Sequence, residues 1–378
     1  MGNTFDIQQF RFDGELFLTQ LMAELQALGV SVSTLRADHL CFRVESHQEY
    51  EDHKVFLAGA GILLTEANVN GRAISTYRMT EPFRAGNQVV ELIELPAPKA
   101  GTEYTKGFEH AEFVIKESFD LFTAKFPHLH FTRSGNKNIN PELCLKTRVG
   151  QAKFHYLSLD RVIEIEKAKI KDIIFDFDGT LIQSRENIYE INRIVFSEIL
   201  EREISLTEAK EKFYPEFTKL FNAFGVECPL KKKRAISTWG KVSERYSYHL
   251  FDGVYEFLRR LSQSNCRIHL WTARDEKSAR TILTAHKIDT FFTTMSFATD
   301  AESKPHENSL KFDWRSLDKN TIVVIGDSPS DIMGSKNIGA MAAAVLWDPH
   351  VNEQALISSG AELFFYDVPE LETWLRER

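Results

Sequence analysis

Two rhythms of apolar and polar positions divide the chain. From Ala37 to Leu159 short strand-like runs predominate, with one amphipathic stretch among every few. "ADHLCFRV" (37–44) predicts a strand, and "QEYEDHKVFLAGAG" (48–61) a helix that stops at glycine. "ILLTEA", "RAISTYRM" and "NQVVELIELP" predict three more strands. After "APKAGTEYTKG" the order returns. "FEHAEFVI" (108–115) predicts a strand, "ESFDLFTAKF" (117–126) a helix, and "LHFTR", "ELCLKTRV" and "AKFHYLSL" strands. The first half is thus a degenerate repeat of strand, helix and three strands, and the pattern predicts a helix over about 13–29 before it.

From Ile170 the rhythm lengthens. "KDIIFDF", "CRIHLWTA", "TIVVIGDS" and "MAAAVLW" are near-continuous apolar strands spaced by amphipathic helices. That alternation predicts a parallel sheet covered on both faces. "DRVIEIEKAKIKD" (160–172) reads as a short helix or a linker at the join, and 183–250 as a long helical insertion. At 378 residues two domains are expected, 1–166 and 167–378.

The parallel half gathers its chemistry where such sheets gather it, at the carboxyl ends of strands. "DIIFDFDGTLIQS" ends its apolar run in Asp176 and Asp178, "LWTARD" carries Thr272, and "VVIGDSPSD" carries Asp327 and Asp331. Lys304 precedes a proline in "ESKPHENS". Acids from two loops make an oxygen-only site suited to Mg²⁺. A carboxylate beside such an ion can act as a nucleophile, while a lysine and a hydroxyl hold a transferring phosphoryl group.

In these residues the second half resembles the haloacid dehalogenase superfamily of phosphohydrolases. "DFDGT", Thr272, Lys304 and "GDSPSD" match its four motifs in order. The resemblance implies that Asp176 becomes a phosphoaspartate and that Asp178 is the general acid. It implies that Thr272 and Lys304 bind phosphoryl oxygens. It gives Mg²⁺ to Asp176, the Asp178 carbonyl and Asp327, with Asp331 in support or serving only its helix N-terminus. The insertion falls where this family places a helical cap. "KKKR" (231–234) reads either as a lure for a polyanion or as a solvated helix face, and Arg274 as a substrate contact or a surface ion pair.

In the first half, His39 and His110 stand in the first strands of the two copies, and Glu94 and His155 in the fourth. Two histidines with a carboxylate suit Zn²⁺ or another divalent transition ion. This half resembles the YecM-like family of the vicinal oxygen chelate superfamily in "ADHLCFRV", "NGRAI", "IELPAP", "GFEHAEFVI" and "KFHYLSLD". That resemblance implies paired βαβββ modules and a metal-bearing pocket open to isomerase- or lyase-like chemistry. His155 stands where many members carry Glu.

The expected fold is therefore α/β and α+β: paired βαβββ modules, then a Rossmann-like parallel sheet with a helical cap after its first strand. The expected activity is Mg²⁺-dependent hydrolysis of a small phosphate ester. A phosphomutase or phosphotransferase, or a regulatory protein whose main activity lies in the first half, are the alternatives. A formal charge of −8, from 46 basic and 54 acidic residues, argues against nucleic acid as partner. Four scattered cysteines, no membrane-length apolar run and no secretory pattern in "MGNTFDIQQF" give the expectation of a cytoplasmic chain.

Overall fold

The structure is a computed structural model and describes residues 6–378 apart from 70, 100, 137, 215–216 and 299–303. It divides into two compact units, Met1–Lys167 and Ala168–Arg378.

The first unit runs α1 (Ile7–Ala27), β1 (Arg36–Arg43), α2 (His47–Ala58), β2 (Gly61–Val69), β3 (Arg72–Ala85) and β4 (Gln88–Pro96). It continues β5 (Gly107–Val114), α3 (Phe119–Ala124), β6 (Phe131–Asn136), β7 (Asn140–Lys146), β8 (Gln151–His155) and α4 (Leu159–Lys167). α1 begins earlier than its pattern predicts because Asp6 caps it, accepting from the Gln8 N–H. The stretch at the join is helix, α4. Eight strands form one sheet in the order β2-β3-β4-β1-β5-β8-β7-β6. Each βαβββ copy closes with its first strand parallel to its fourth, β1 to β4 and β5 to β8. The copies meet in the middle, where β1 and β5 run antiparallel. Leu40, Phe42, Ala111 and Phe113 turn to the helices and enter one core with Phe10, Leu18, Leu21 and Phe122. Residues one step out of phase, His39 and Cys41 among them, turn to the other face. α4 covers part of that face, packing Leu159 and Ile163 on Leu92.

The second unit opens with β9 (Asp172–Phe175), β10 (Ile182–Gln183), α5 (Arg185–Leu200), α6 (Leu206–Glu211), α7 (Phe217–Ala223), α8 (Pro229–Ser243) and β11 (His249–Leu250). Then come α9 (Val254–Leu261), β12 (Arg267–Asp275), α10 (Glu276–Ala285), β13 (Thr294–Ala298), β14 (Ile322–Gly326) and α11 (Pro329–Ile338). β15 (Met341–Val345), α12 (Glu353–Ser359), β16 (Leu363–Phe365) and α13 (Val368–Arg376) complete it. Six strands lie parallel in the order β13-β12-β9-β14-β15-β16, with β9 buried at every position near the centre. β13 and β16 add to the four strands read from the sequence. They are five and three residues long and pair with β12 and β15 at the two edges of the sheet.

The helical insertion is rooted by the antiparallel pair β10–β11, where Ile182 faces Leu250. It has its own core of Ile191, Val195, Phe196, Phe221, Phe224 and Val242. The "KKKR" run lies in α8 on a solvated face, where exposed Arg234 pairs with exposed Glu198 at 2.8 Å. Phe196 and Phe224 stack with centroids 3.9 Å apart. Phe196→Ala is expected to cost about 3–5 kcal/mol, as large aromatic deletions in cores do. Hydrogen exchange should show the loss across α5 and α7, while β9 and β14 keep their protection.

Candidate functional site

In the second unit the central strand delivers Asp176. β9 stops at Phe175, and the Asp176 N–H donates to Ile325 O at 2.9 Å, carrying the next residue past the end of the sheet. The chain then turns through Gly179 at φ +81°, where a Cβ would collide with the Asp327 carboxylate. Only glycine relieves both demands. Phe175 pairs with Leu270 on β12 and with Ile325 on β14. Thr272 and Asp327, two residues beyond those partners, therefore sit at the same end of the sheet as Asp176. Thr272 is buried, and its Oγ1 accepts from the Arg274 N–H at 3.1 Å.

Asp176, Asp327 and Asp331 are all buried, with carboxylate oxygens within 4.8 Å of one another. Lys304 Nζ lies 2.5 Å from Asp176 Oδ1 and 2.5 Å from Asp331 Oδ1. The other Asp331 oxygen closes a capping box on α11, accepting from the Ser328 N–H at 3.0 Å and the Ser328 hydroxyl at 2.7 Å. Asp331 thus serves both the helix terminus and the charge cluster, the two roles the sequence left open. Thr180 Oγ1 donates to Asp176 Oδ2 at 3.4 Å.

Two arginines complete the site. Arg185, at the start of α5, sets Nη2 against Asp327 Oδ2. Arg274 is buried and is no surface ion pair. Its Nε donates to Asp178 Oδ2 at 2.9 Å, its Nη2 to Asp178 Oδ1, and its guanidinium lies over the Tyr248 ring. Burial pushes the Asp178 carboxyl up, but Arg274 outweighs it and holds the group below its usual range. Burial and then Asp331 push Asp176 well above its usual range, against Lys304. Burial and Asp331 likewise push Asp327 up to about 7, against Arg185. Oxygen donors crowded until they hold protons near neutrality fit a hard divalent cation.

In the first unit the polar face of the sheet carries a second cluster. His39, Glu94, His110 and Glu112 bring one ligand atom each within 4.8 Å of the others. His39 Nε2 lies 3.4 Å and His110 Nε2 3.2 Å from Glu112 Oε1, yet neither nitrogen has a hydrogen-bond partner among the described residues. The strand register explains the convergence. His39 pairs with Glu112, Leu40 with Ala111, and Cys41 with His110, so a local two-fold exchanges the copies. "DHLCF" (38–42) and "EHAEF" (109–113) are the same segment twice.

Both copies bulge at the acid before the histidine, with the β1–β5 register shifting at Asp38 and at Glu109. A bulge re-aims a side chain. Asp38 Oδ2 meets His39 Nδ1 at 3.0 Å, and Glu109 Oε2 meets His110 Nδ1 at 3.0 Å. Each imidazole is thereby held by a carboxylate on Nδ1, leaving Nε2 for the cluster, as metal-ligating histidines are held. Burial opposes charge on both imidazoles. Glu112 and Asp38 outweigh it at His39, and Cys41 and Glu109 contribute at His110, raising both pKa values well above normal. An ion entering here displaces protons. The donor set, nitrogen with carboxylate, fits a divalent transition ion.

His155 stands apart from this group. It clusters with Asp38 and His39, and its Nδ1 meets Asn140 Oδ1 at 3.3 Å. On β4 Glu94 pairs beside Cys41, and on β8 Lys153 pairs beside Glu112. The local two-fold relates Cys41 to Glu112, so the counterpart of Glu94 is Lys153. Its ammonium lies 3.0 Å from Glu112 and 3.1 Å from Glu142. Sequence reading missed Glu112, Asp38, Glu109 and Lys153. Aligning the two pentapeptides on their histidines would have found the first three.

The second unit yields a pH test. Metal-free, the folded unit keeps protons on Asp176 and Asp327 that the unfolded chain releases near about pH 4. Its stability should therefore fall as pH rises from about 4 to about 7, the Asp327 value. Mg²⁺ takes the deprotonated form, so its stabilisation should be larger at about pH 8 than at about pH 5.5. Equal thermal shifts at the two pH values would remove these carboxylates from the ion's site.

Residues 6–166 match the family described as YecM protein, and residues 173–345 the family described as haloacid dehalogenase-like hydrolase. Pyrophosphatase PpaX of Halalkalibacterium halodurans is 26% identical over 183 residues, 47% of this chain and 84% of that protein. Protein YecM of Escherichia coli is 24% identical over 179 residues, 43% of this chain and 95% of that protein. An uncharacterized Haemophilus influenzae protein is 32% identical over 103 residues, 27% of this chain, which spans 54% of that relative's length. The crystal structure of a predicted phosphatase from Clostridium acetobutylicum superposes with a TM-score of 0.50 at 18% identity, covering 55% of this chain and 99% of that one, and shares its fold. The chain joins a YecM-family domain, residues 6–166, to a haloacid dehalogenase-like hydrolase domain, residues 173–345.

Proposed function

We propose that the second domain hydrolyses a small phosphate monoester through a phosphoaspartate, with Mg²⁺ as cofactor. The observation that carries this reading is Asp176 at the end of the central strand, joined by Lys304 to Asp331 and lying within 4.8 Å of Asp327. The pyrophosphatase relative supports phosphorus chemistry.

Asp176, Asp327 and the Asp178 carbonyl would hold the ion, with Asp331 kept beside it by Lys304 and Ser328. A bound Mg²⁺ would neutralise charge on the phosphoryl oxygens and on the carboxylates. A carboxylate oxygen of Asp176 attacks phosphorus as the bond to the leaving oxygen breaks. The proton for that oxygen comes from Asp178. A water then gives its proton back to Asp178 and attacks phosphorus, releasing phosphate and the Asp176 carboxylate. Lys304 and the Thr272 hydroxyl offset the charge on the transferring group. Arg274 holds Asp178 deprotonated, so Asp178 must leave that grip and take a proton from solvent before it can donate. The helical insertion closes over the site, excluding water and selecting the substrate.

In the first domain, His39, His110, Glu94 and Glu112 bind a divalent transition ion. His155 lies behind His39 and is not a ligand in this reading. Lys153 offsets the charge of Glu112.

Asp176→Asn is expected to bring phosphate release to background, because an amide does not attack phosphorus. Asp178→Asn should lose roughly 10²–10⁴-fold on an alkyl phosphate. It should lose far less on nitrophenyl phosphate, whose leaving group needs no proton. Equal losses on both esters would end the general-acid assignment. For the first domain, elemental analysis after metal supplementation should find about one transition ion per chain. His39→Ala and His110→Ala should each lower that content, with phosphatase turnover unchanged. An unchanged content in the double variant would leave these histidines as structural residues.

A further inference from the structure

We propose that Arg43 and Arg72 form an anion clamp on the metal face of the first domain, taking the carboxylate of a small organic acid. The proposal rests on the metal reading above only for the ligand's second anchor. Arg43 follows His39 and Cys41 at even spacing on β1, which keeps it on their face of the sheet. Arg72 is four residues before Thr76 on β3, and Thr76 pairs with Glu94, which puts Arg72 on that face as well.

Arg43 is tied to the cluster through one carboxylate. Its Nε donates to Glu109 Oε2 at 2.5 Å, and Glu109 holds the His110 ring. The other Glu109 oxygen, Oε1, accepts from Gln151 Nε2 at 3.0 Å. The Nη1 groups of both Arg43 and Arg72 are buried without a hydrogen-bond partner among the described residues. The Arg43 guanidinium is fixed over the Tyr104 ring, 5.1 Å from its centroid. Apart from burial, Arg43 is the largest influence disfavouring the Arg72 cation.

Two like charges on one face of the sheet, each with a buried donor unused, are costly in the free protein. A single anion relieves both costs. The guanidinium fork matches the two oxygens of a planar carboxylate, which favours that group over a solvated point anion. A ligand held there by its carboxylate lies beside the cluster of His39, Glu94, His110 and Glu112, where a second oxygen would meet the ion.

The test uses the full chain supplemented with Mn²⁺, titrated by calorimetry with acetate, lactate, pyruvate and succinate, and separately with inorganic phosphate. At least one carboxylate should bind. Arg43→Gln and Arg72→Gln should each weaken it about 10- to 100-fold, the loss of one charge-assisted pair. Arg72→Lys should fall between, and the metal content of all variants should match wild type. Absence of binding by all four carboxylates to metal-loaded protein would overturn the proposal. So would unchanged affinity in both glutamine variants, or phosphate binding in place of carboxylate. Protein without a transition ion would defeat the metal reading alone. Carboxylate binding that Arg72→Gln abolishes would still support the clamp.

Discussion

Three buried carboxylates that repel one another set the design of the second domain. Asp176 and Asp327 lie just past strand ends of the parallel sheet, and Asp331 in the first turn of α11. Lys304 bridges two of them at 2.5 Å, Arg185 meets the third, and Ser328 ties Asp331 to its helix. Gly179 exists at its position because the turn needs a positive φ and because Asp327 occupies the space of a Cβ. Crowding the three acids is a cost in a metal-free protein, and Lys304, Arg185 and Ser328 offset part of it. Together they concentrate acids and cations at one end of the sheet.

The first domain reaches a similar end by symmetry. An antiparallel pairing of two copies of one segment puts His39 opposite Glu112 and Cys41 opposite His110. Bulges at Asp38 and Glu109 then turn an acid onto each imidazole. The symmetry breaks at the edges of the cluster, and there the functional differences lie. Glu112 answers Cys41, and Lys153 answers Glu94. The face thus carries an acid on one side and a lysine on the other, with Arg72 on β3 beyond the strand of Glu94 and Arg43 bonded to Glu109 on β5.

The acid in the hydrolase site and the imidazoles in the other are held by opposite devices. Arg274 keeps Asp178 below its usual pKa, whereas Glu112 and Asp38 keep His39 above its own. In both cases charged and hydrogen-bonding neighbours outweigh desolvation. Protonation in each domain therefore depends on a side chain that the reaction or the ion must move or replace.

The sequence by itself determined the architecture and the end of the parallel sheet at which Asp176, Thr272 and Asp327 gather. The change from short strands to strand–helix alternation is a property of spacing, and spacing survives without coordinates. Asp176, Thr272, Lys304 and Asp327 were legible because the ends of parallel strands converge, whatever the details of the loops. Tertiary structure alone decided the rest. Arg274 reads from the chain as a substrate contact or a surface ion pair, and only packing shows it buried against Asp178 and half-buried Arg185 against Asp327. His155 looked equivalent to Glu94 because both stand on fourth strands. The register gives that place to Lys153, two residues earlier, and register is fixed by hydrogen bonds between distant segments. β13 and β16 fall outside the apolar runs read from the chain, so only their pairing reveals them. Short-range periodicity is written along the chain, while charge pairing and strand register are written across it.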